Sequence, residues 1–148
     1  VNRRILSDTR GNMFVTVFYG VLEPDTGRLR YSNAGHNPPL LISAQKNKPI
    51  DRLRGTGMAL GVEENAPWQQ KMTKFNPGDT LLLYTDGITE ARSPSGDYYG
   101  DNRLVSVVRN RPGCSAEDLQ DLIYADVTRF TTNTPLQDDM TLMVIRRK

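Results

Sequence analysis

The stretch that decides the fold is GDTLLLYTDGITEA, Gly78 to Ala91. Leu81, Leu82, Leu83 and Tyr84 make the short unbroken apolar run that a buried strand carries, and it ends on Asp86 followed by Gly87. Asp-Gly is a common turn dipeptide. A strand end in a rigid sheet also holds a carboxylate with the precision a metal site needs. A second acidic pair, Asp138-Asp139, stands just ahead of another apolar stretch, MTLMVIRR at 140–147. Hard divalent cations take oxygen ligands and keep several waters, so two or three carboxylates suffice, and a glycine lets backbone approach closely. At this level turn and ligand both stand for each pair.

Outward from that strand, MFVTVFYGVL (13–22) is β-branched and aromatic at both alternating positions, which predicts a strand buried on both sides. EPDTG (23–27) supplies turn chemistry. In RLRYSNAGH (28–36), Leu29 and Tyr31 alternate against Arg28, Arg30 and Ser32, completing a hairpin. The paired prolines of GHNPP force a loop, LLI (40–42) is a short strand, and the residues after it form a polar turn. GTGMALGV (55–62) is expected to be a glycine-rich loop around an apolar plug, and WQQKMTKF (68–75) an exposed alternating strand. The first residues, through Ile5 and Leu6, read as the end of a helix stopping near Gly11. Downstream, ARSPSGDYYG (91–100) is a loop, and a short helix starts at about Asp101. Ser115 with Asp118 gives a capping-box-like start. From there Ala116, Leu119, Leu122, Ile123, Val127 and Phe130 recur at helical spacing to about Thr131. About six strands and two helices, strands first, predict an α+β fold of mainly antiparallel sheet in one domain over 1–148.

Composition removes several function classes. With 148 residues, 37% hydrophobic and 24% charged, the chain can bury a core and is neither disordered nor membrane-embedded. No apolar run approaches the ~20 residues of a bilayer span, so a cytoplasmic protein without membrane contact is expected. The net charge of +2 is scattered, unlike the clustered footprint of a nucleic-acid binder. The single cysteine, Cys114, excludes a disulfide scaffold and a cysteine-based zinc site. A cysteine phosphatase needs a phosphate-cradling arginine downstream, and the position six on is Gln120. The single histidine, His36, excludes a two-histidine mechanism. It could be an acid, a metal ligand or an organiser of its loop.

Four stretches taken in order carry a resemblance: MFVTVFYGVLEPDTGRLRYSNAGHNPPLLI, GMALGV, PGDTLLLYTDGITEARSPSGDYYG and DDMTLMVIRR. From about Met13 to Arg146 the chain resembles the SpoIIE-type branch of the metal-dependent, type 2C-like protein serine phosphatases. The resemblance implies an α-β-β-α sandwich of antiparallel sheets with two Mn²⁺ or Mg²⁺ ions at one edge. It implies that Asp86 with Gly87 is one metal motif and Asp138 another, with Asp139 and His36 as support. The attacking water would be held by two cations about 3.5–4 Å apart, with no protein nucleophile. The implied substrate is a phosphorylated anti-anti-sigma (STAS-domain) protein, in bacterial sigma-factor control.

The chain departs from the family pattern in one respect. The first metal motif, D-x-S-G-x-G, whose aspartate bridges both ions, has no match here and is expected upstream of Val1. The N-terminal elements of the fold would then be missing, and a sensor domain would precede them. On that expectation the isolated chain is inactive, and an open sheet edge invites pairing with a second copy. The alternative is a pseudophosphatase that binds the same regulator without hydrolysis.

Overall fold

In the computed structural model the chain runs α1 (Asn2–Thr9), β1 (Val17–Glu23), β2 (Arg28–Ala34), β3 (Leu40–Ile42), β4 (Asp51–Arg52), β5 (Lys71–Lys74), β6 (Thr80–Tyr84), α2 (Asp86–Thr89), α3 (Gly100–Arg109), α4 (Ala116–Thr131) and β7 (Leu142–Arg146). The structure describes residues 1–9, 13–45, 47–109, 111, 113–132, 134 and 137–148. Contacts divide the chain into two units, Val1–Pro38 with Leu53–Phe75, and Pro39–Arg52 with Asn76–Lys148.

The first unit holds an antiparallel sheet of order β1-β2-β5. The expected hairpin forms, pairing Val17 with Ala34 through Glu23 with Arg28. Gly27 closes its turn at φ 69°, and Glu23 lies 3.8 and 3.5 Å from Arg28 and Arg30. Leu29 and Tyr31 are buried, as the alternation predicts. The expectation that 13–22 is buried on both sides fails. The strand begins only at Val17, and Met13, Phe14, Tyr19 and Val21 are all exposed. Among the described residues β1 pairs with β2 alone, and nothing covers the face that carries Tyr19 and Val21, so that side stays exposed even though the composition matches a strand buried on both sides. The expected stop of the opening helix at Gly11 lies outside the described residues.

The second unit holds the antiparallel order β4-β3-β6-β7. β6 is central, flanked by β3 through Leu40–Leu82 and by β7 through Leu82–Val144. Leu82 and Leu40 are fully buried and join Tyr84, Ile88, Leu104, Val108, Leu119, Ile123 and Val127 in one core. The Ser115 cap forms, its hydroxyl accepting from the Asp118 amide at 2.9 Å. Two elements were not expected. The two polar residues of β4 become a strand only through pairing with β3, and α2 is a single helical turn. A bidentate pair ties α3 to α4: Arg103 donates to Asp126 at 2.8 and 3.2 Å, and the Tyr99 hydroxyl donates to the same carboxylate at 2.9 Å. Arg103 holds the Asp126 carboxyl below its ordinary range. Burial, then Asp126, pushes the Tyr99 phenol up.

Candidate metal centre

Asp86 is where the buried strand delivers it. After Tyr84, Thr85 stays extended (φ −93°, ψ 163°) and the chain then enters the single turn of α2. Ile88, 2% exposed, plugs that turn into the core, which leaves the Asp86 side chain outside. The Tyr84 hydroxyl, donating to Asp101 at 3.1 Å, anchors the strand end to α3. Burial and the adjacent Asp101 carboxylate push this phenol up to about 12, so it remains a donor at neutral pH.

The two acidic pairs meet. A methyl carbon placed on Gly87 would lie 2.5 Å from the Asp139 carbonyl oxygen and 3.3 Å from that of Asp138. Glycine is therefore required there by close backbone approach. The seam is closed by Thr85, whose hydroxyl donates to the Asp139 carbonyl at 3.0 Å and accepts from the Thr141 amide at 2.9 Å. The Thr85 amide donates to the Thr141 carbonyl at 3.1 Å. Thr85 is the positioning residue that the sequence did not single out. Its only local signal is a hydroxyl at a strand end directly before the acid, and its partners lie more than fifty positions away.

Both carboxylates have the same local geometry. Asp86 Oδ1 accepts from the Gly87 amide at 3.1 Å, and Asp138 Oδ1 accepts from the Asp139 amide at 2.8 Å. Neither Oδ2 receives a hydrogen bond, and neither carboxylate is paired with a lysine or arginine, from any described residue. Each carboxylate is thus exposed and uncompensated, on backbone segments that touch at Gly87, and carboxylate oxygen is the donor chemistry that Mg²⁺ and Mn²⁺ favour. The residues present fit such an ion. Among the described residues no group of three or more His, Cys, Asp or Glu side chains is placed to hold a metal. The Asp139 carboxylate is exposed, and its backbone carries the seam.

His36 lies in the other unit, in the loop after β2. Its ring Nδ1 is 3.2 Å from the Thr16 hydroxyl, and its amide donates to Asn33 Oδ1 at 2.9 Å. Asn33, fully buried, also donates from Nδ2 to the Leu53 carbonyl at 3.1 Å. The SNAGH stretch is therefore a loop folded around a buried asparagine.

The fold is that of the type 2C protein phosphatases. The PP2C phosphatase domain of SpoIIE from Bacillus subtilis, with a fragment of its regulatory domain, matches at TM-score 0.71 and 19% identity over 88% of this chain and 37% of that one. The catalytic domain of the serine/threonine protein phosphatase PstP, in complex with two manganese ions, matches at TM-score 0.64 and 16% identity over 97% and 65%. The sequence profile of Stage II sporulation protein E (SpoIIE) matches residues 1–148, and the chain belongs to that family. Protein IcfG of Synechocystis is 34% identical over 91% of this chain, and the phosphoserine phosphatase RsbU of Bacillus subtilis is 30% identical over all of it. The chain spans only 21% and 43% of those two proteins.

Proposed function

We propose that this chain is a metal-binding part of a protein serine/threonine phosphatase and acts in a single type 2C domain. Asp86 and Asp138 would hold Mn²⁺ or Mg²⁺, two ions in the complete centre. Gly87 and Thr85 set the spacing, and Asp139 and His36 serve as support. The observation that carries this reading is the close backbone contact of Asp86-Gly87 with Asp138-Asp139 at the joined ends of β6 and β7, with both carboxylates left uncompensated. Bound divalent ions would supply charge neutralisation at the phosphoryl group and acidification of water, the two requirements of phosphomonoester hydrolysis. The role of this chain's own residues is to hold the carboxylates on a rigid strand and to exclude alternative backbone positions.

The substrate class proposed is a phosphoserine or phosphothreonine on a regulatory protein of the anti-anti-sigma (STAS) type, in the cytoplasm, under control of a sensor domain elsewhere in the same protein. Membership of the family that includes RsbU supports this. Residues 1–148 hold no match to the family's first metal motif with its bridging aspartate, so on their own they are expected to bind metal weakly and to be inactive. The exposed edge of β1 is a surface on which two such chains could pair. The test is phosphate release from a phosphoserine protein with Mn²⁺, using the longer natural protein with and without Asp86→Asn. Loss of at least a hundredfold in rate is expected. Unchanged release would sink the assignment, and tight binding of the phosphoprotein with no hydrolysis in either form would make the chain a binding module.

A further inference from the structure

The far end of the same sheet carries a second feature. Thr80 pairs with Arg146 there, whereas Tyr84 and Leu142 pair at the carboxylate end. Beside Thr80 a groove of about 710 Å³ opens between the segment after β3, the end of α3 and the start of α4. Its floor is apolar, formed by Ile42, Ile50, Val108 and Leu119. Its rim is cationic. Lys48, Arg109 and Arg111 are exposed and have no carboxylate partner among the described residues, and Arg146 reaches in to donate to the Gly113 carbonyl at 2.7 Å. No acidic residue is among those that line it. Two kinds of carboxylate lie close by without lining it: Asp79 is buried and taken up by the Ala44 and Asn76 amides at 2.9 and 2.8 Å, and Asp118 and Asp121 border an adjoining depression that shares Cys114. With a net charge of only +2 over the whole chain, four cations around one groove are a local concentration.

We propose that this groove docks an acidic, apolar-anchored segment of a partner protein. The volume lies within the range of ligand sites and is far larger than one small anion fills. The apolar floor requires a hydrophobic side chain from the occupant, and the rim requires negative charge around that side chain. A nucleic-acid strand would call for aromatic side chains on which bases stack, and none lines the groove. From Thr80 to Asp86 the chain covers roughly 15–20 Å at strand rise, so an occupant here leaves the carboxylates accessible. The docking site stands independently of the phosphatase reading, because it uses none of the metal-site residues.

The test is fluorescence anisotropy of the 148-residue chain with a labelled twelve-residue peptide of repeated Glu-Leu-Asp-Glu. Binding is expected to weaken several-fold as salt rises from about 0.05 to 0.5 M. It should also weaken at least tenfold in the double variant Arg109→Glu/Arg111→Glu. The matched variant Lys71→Glu/Lys74→Glu, which changes net charge equally on β5, should bind as the parent does. A peptide with serine in place of leucine should bind several-fold more weakly, and the parent peptide should slow alkylation of Cys114, the only cysteine. Thermal melting confirms that both variants fold. The proposal is overturned by no peptide binding at millimolar concentration, or by equal losses in both double variants. It is overturned equally if phosphatidylglycerol vesicles or a dT oligonucleotide bind in place of the peptide and lose that binding in the Arg109/Arg111 variant.

Discussion

Replacing Gly87 by alanine probes the seam with the smallest available change. The added methyl carbon would sit 2.5 Å from the Asp139 carbonyl oxygen, about 0.8 Å inside the ~3.3 Å at which carbon–oxygen contacts begin. The obstacle is backbone, and it cannot swing aside freely because the same carbonyl accepts from Thr85. Opposing this, alanine is favoured over glycine in a helical turn by up to about 1 kcal/mol. Overpacking against well-ordered backbone costs typically 1–3 kcal/mol. The net expectation is a loss of about 1–2 kcal/mol, or a melting temperature lower by roughly 2–8 °C for a chain of this size. A displacement approaching 1 Å moves Asp138 relative to Asp86, and misplacement on that scale can cost on the order of a hundredfold in rate. Differential scanning calorimetry of the chain reads the first effect. Mn²⁺ titration calorimetry and phosphate release by the natural protein read the second. An alanine variant with unchanged melting temperature and unchanged Mn²⁺ affinity would show that the close approach at Gly87 sets neither the seam nor the metal site.

Two further predictions concern the second unit. Asp126→Asn removes the charge that Arg103 and Tyr99 share, for an expected loss of about 1–2 kcal/mol, discounted for the exposure of Arg103. Because the folded-state carboxyl is held below its ordinary value, its contribution is complete above about pH 4 and fades as the pH falls through the folded value. Urea melts of parent and variant should therefore converge as the pH is lowered below about 4, and a constant gap would contradict the shared role of this carboxylate. At the end of α4, Thr132 adopts the left-handed conformation at φ 46°, which a β-branched residue tolerates poorly. Thr132→Asn should stabilise the chain by about 0.5–1 kcal/mol, and a lower melting temperature would show that the Thr132 hydroxyl, donating to the Arg129 carbonyl at 3.0 Å, matters more than the strain.

What was legible in the sequence follows from how local each determinant is. The core strand around Leu82 and the Ser115 cap announce themselves within a few residues, and so does the Leu29/Tyr31 alternation. The exposure of β1 was not legible, because apolar composition reads the same whether or not a layer covers it. Helix α2 has four residues, one of them glycine, too few to display a period. β4 exists only through its register with β3. Within the candidate centre, Asp86, Gly87, Asp138 and Asp139 were all singled out from the sequence, and their backbones meet at the Gly87 seam. The Thr85 clasp was hidden because it depends on which residues of β7 lie opposite β6, a long-range fact. The basic groove was hidden for the same reason, since Lys48, Arg109, Arg111 and Arg146 come from three separate segments.

If Asp86 and Asp138 jointly hold a divalent cation, a paramagnetic ion bound there must act on the amides beside them. The most direct test is titration of the ¹⁵N-labelled chain with Mn²⁺, which broadens nearby amide resonances even when binding is weak. Selective broadening of the Gly87 and Asp139 amides is predicted, reversed by excess Mg²⁺ and abolished by Asp86→Asn. Broadening centred elsewhere, or identical in the Asp86→Asn variant, would contradict the account.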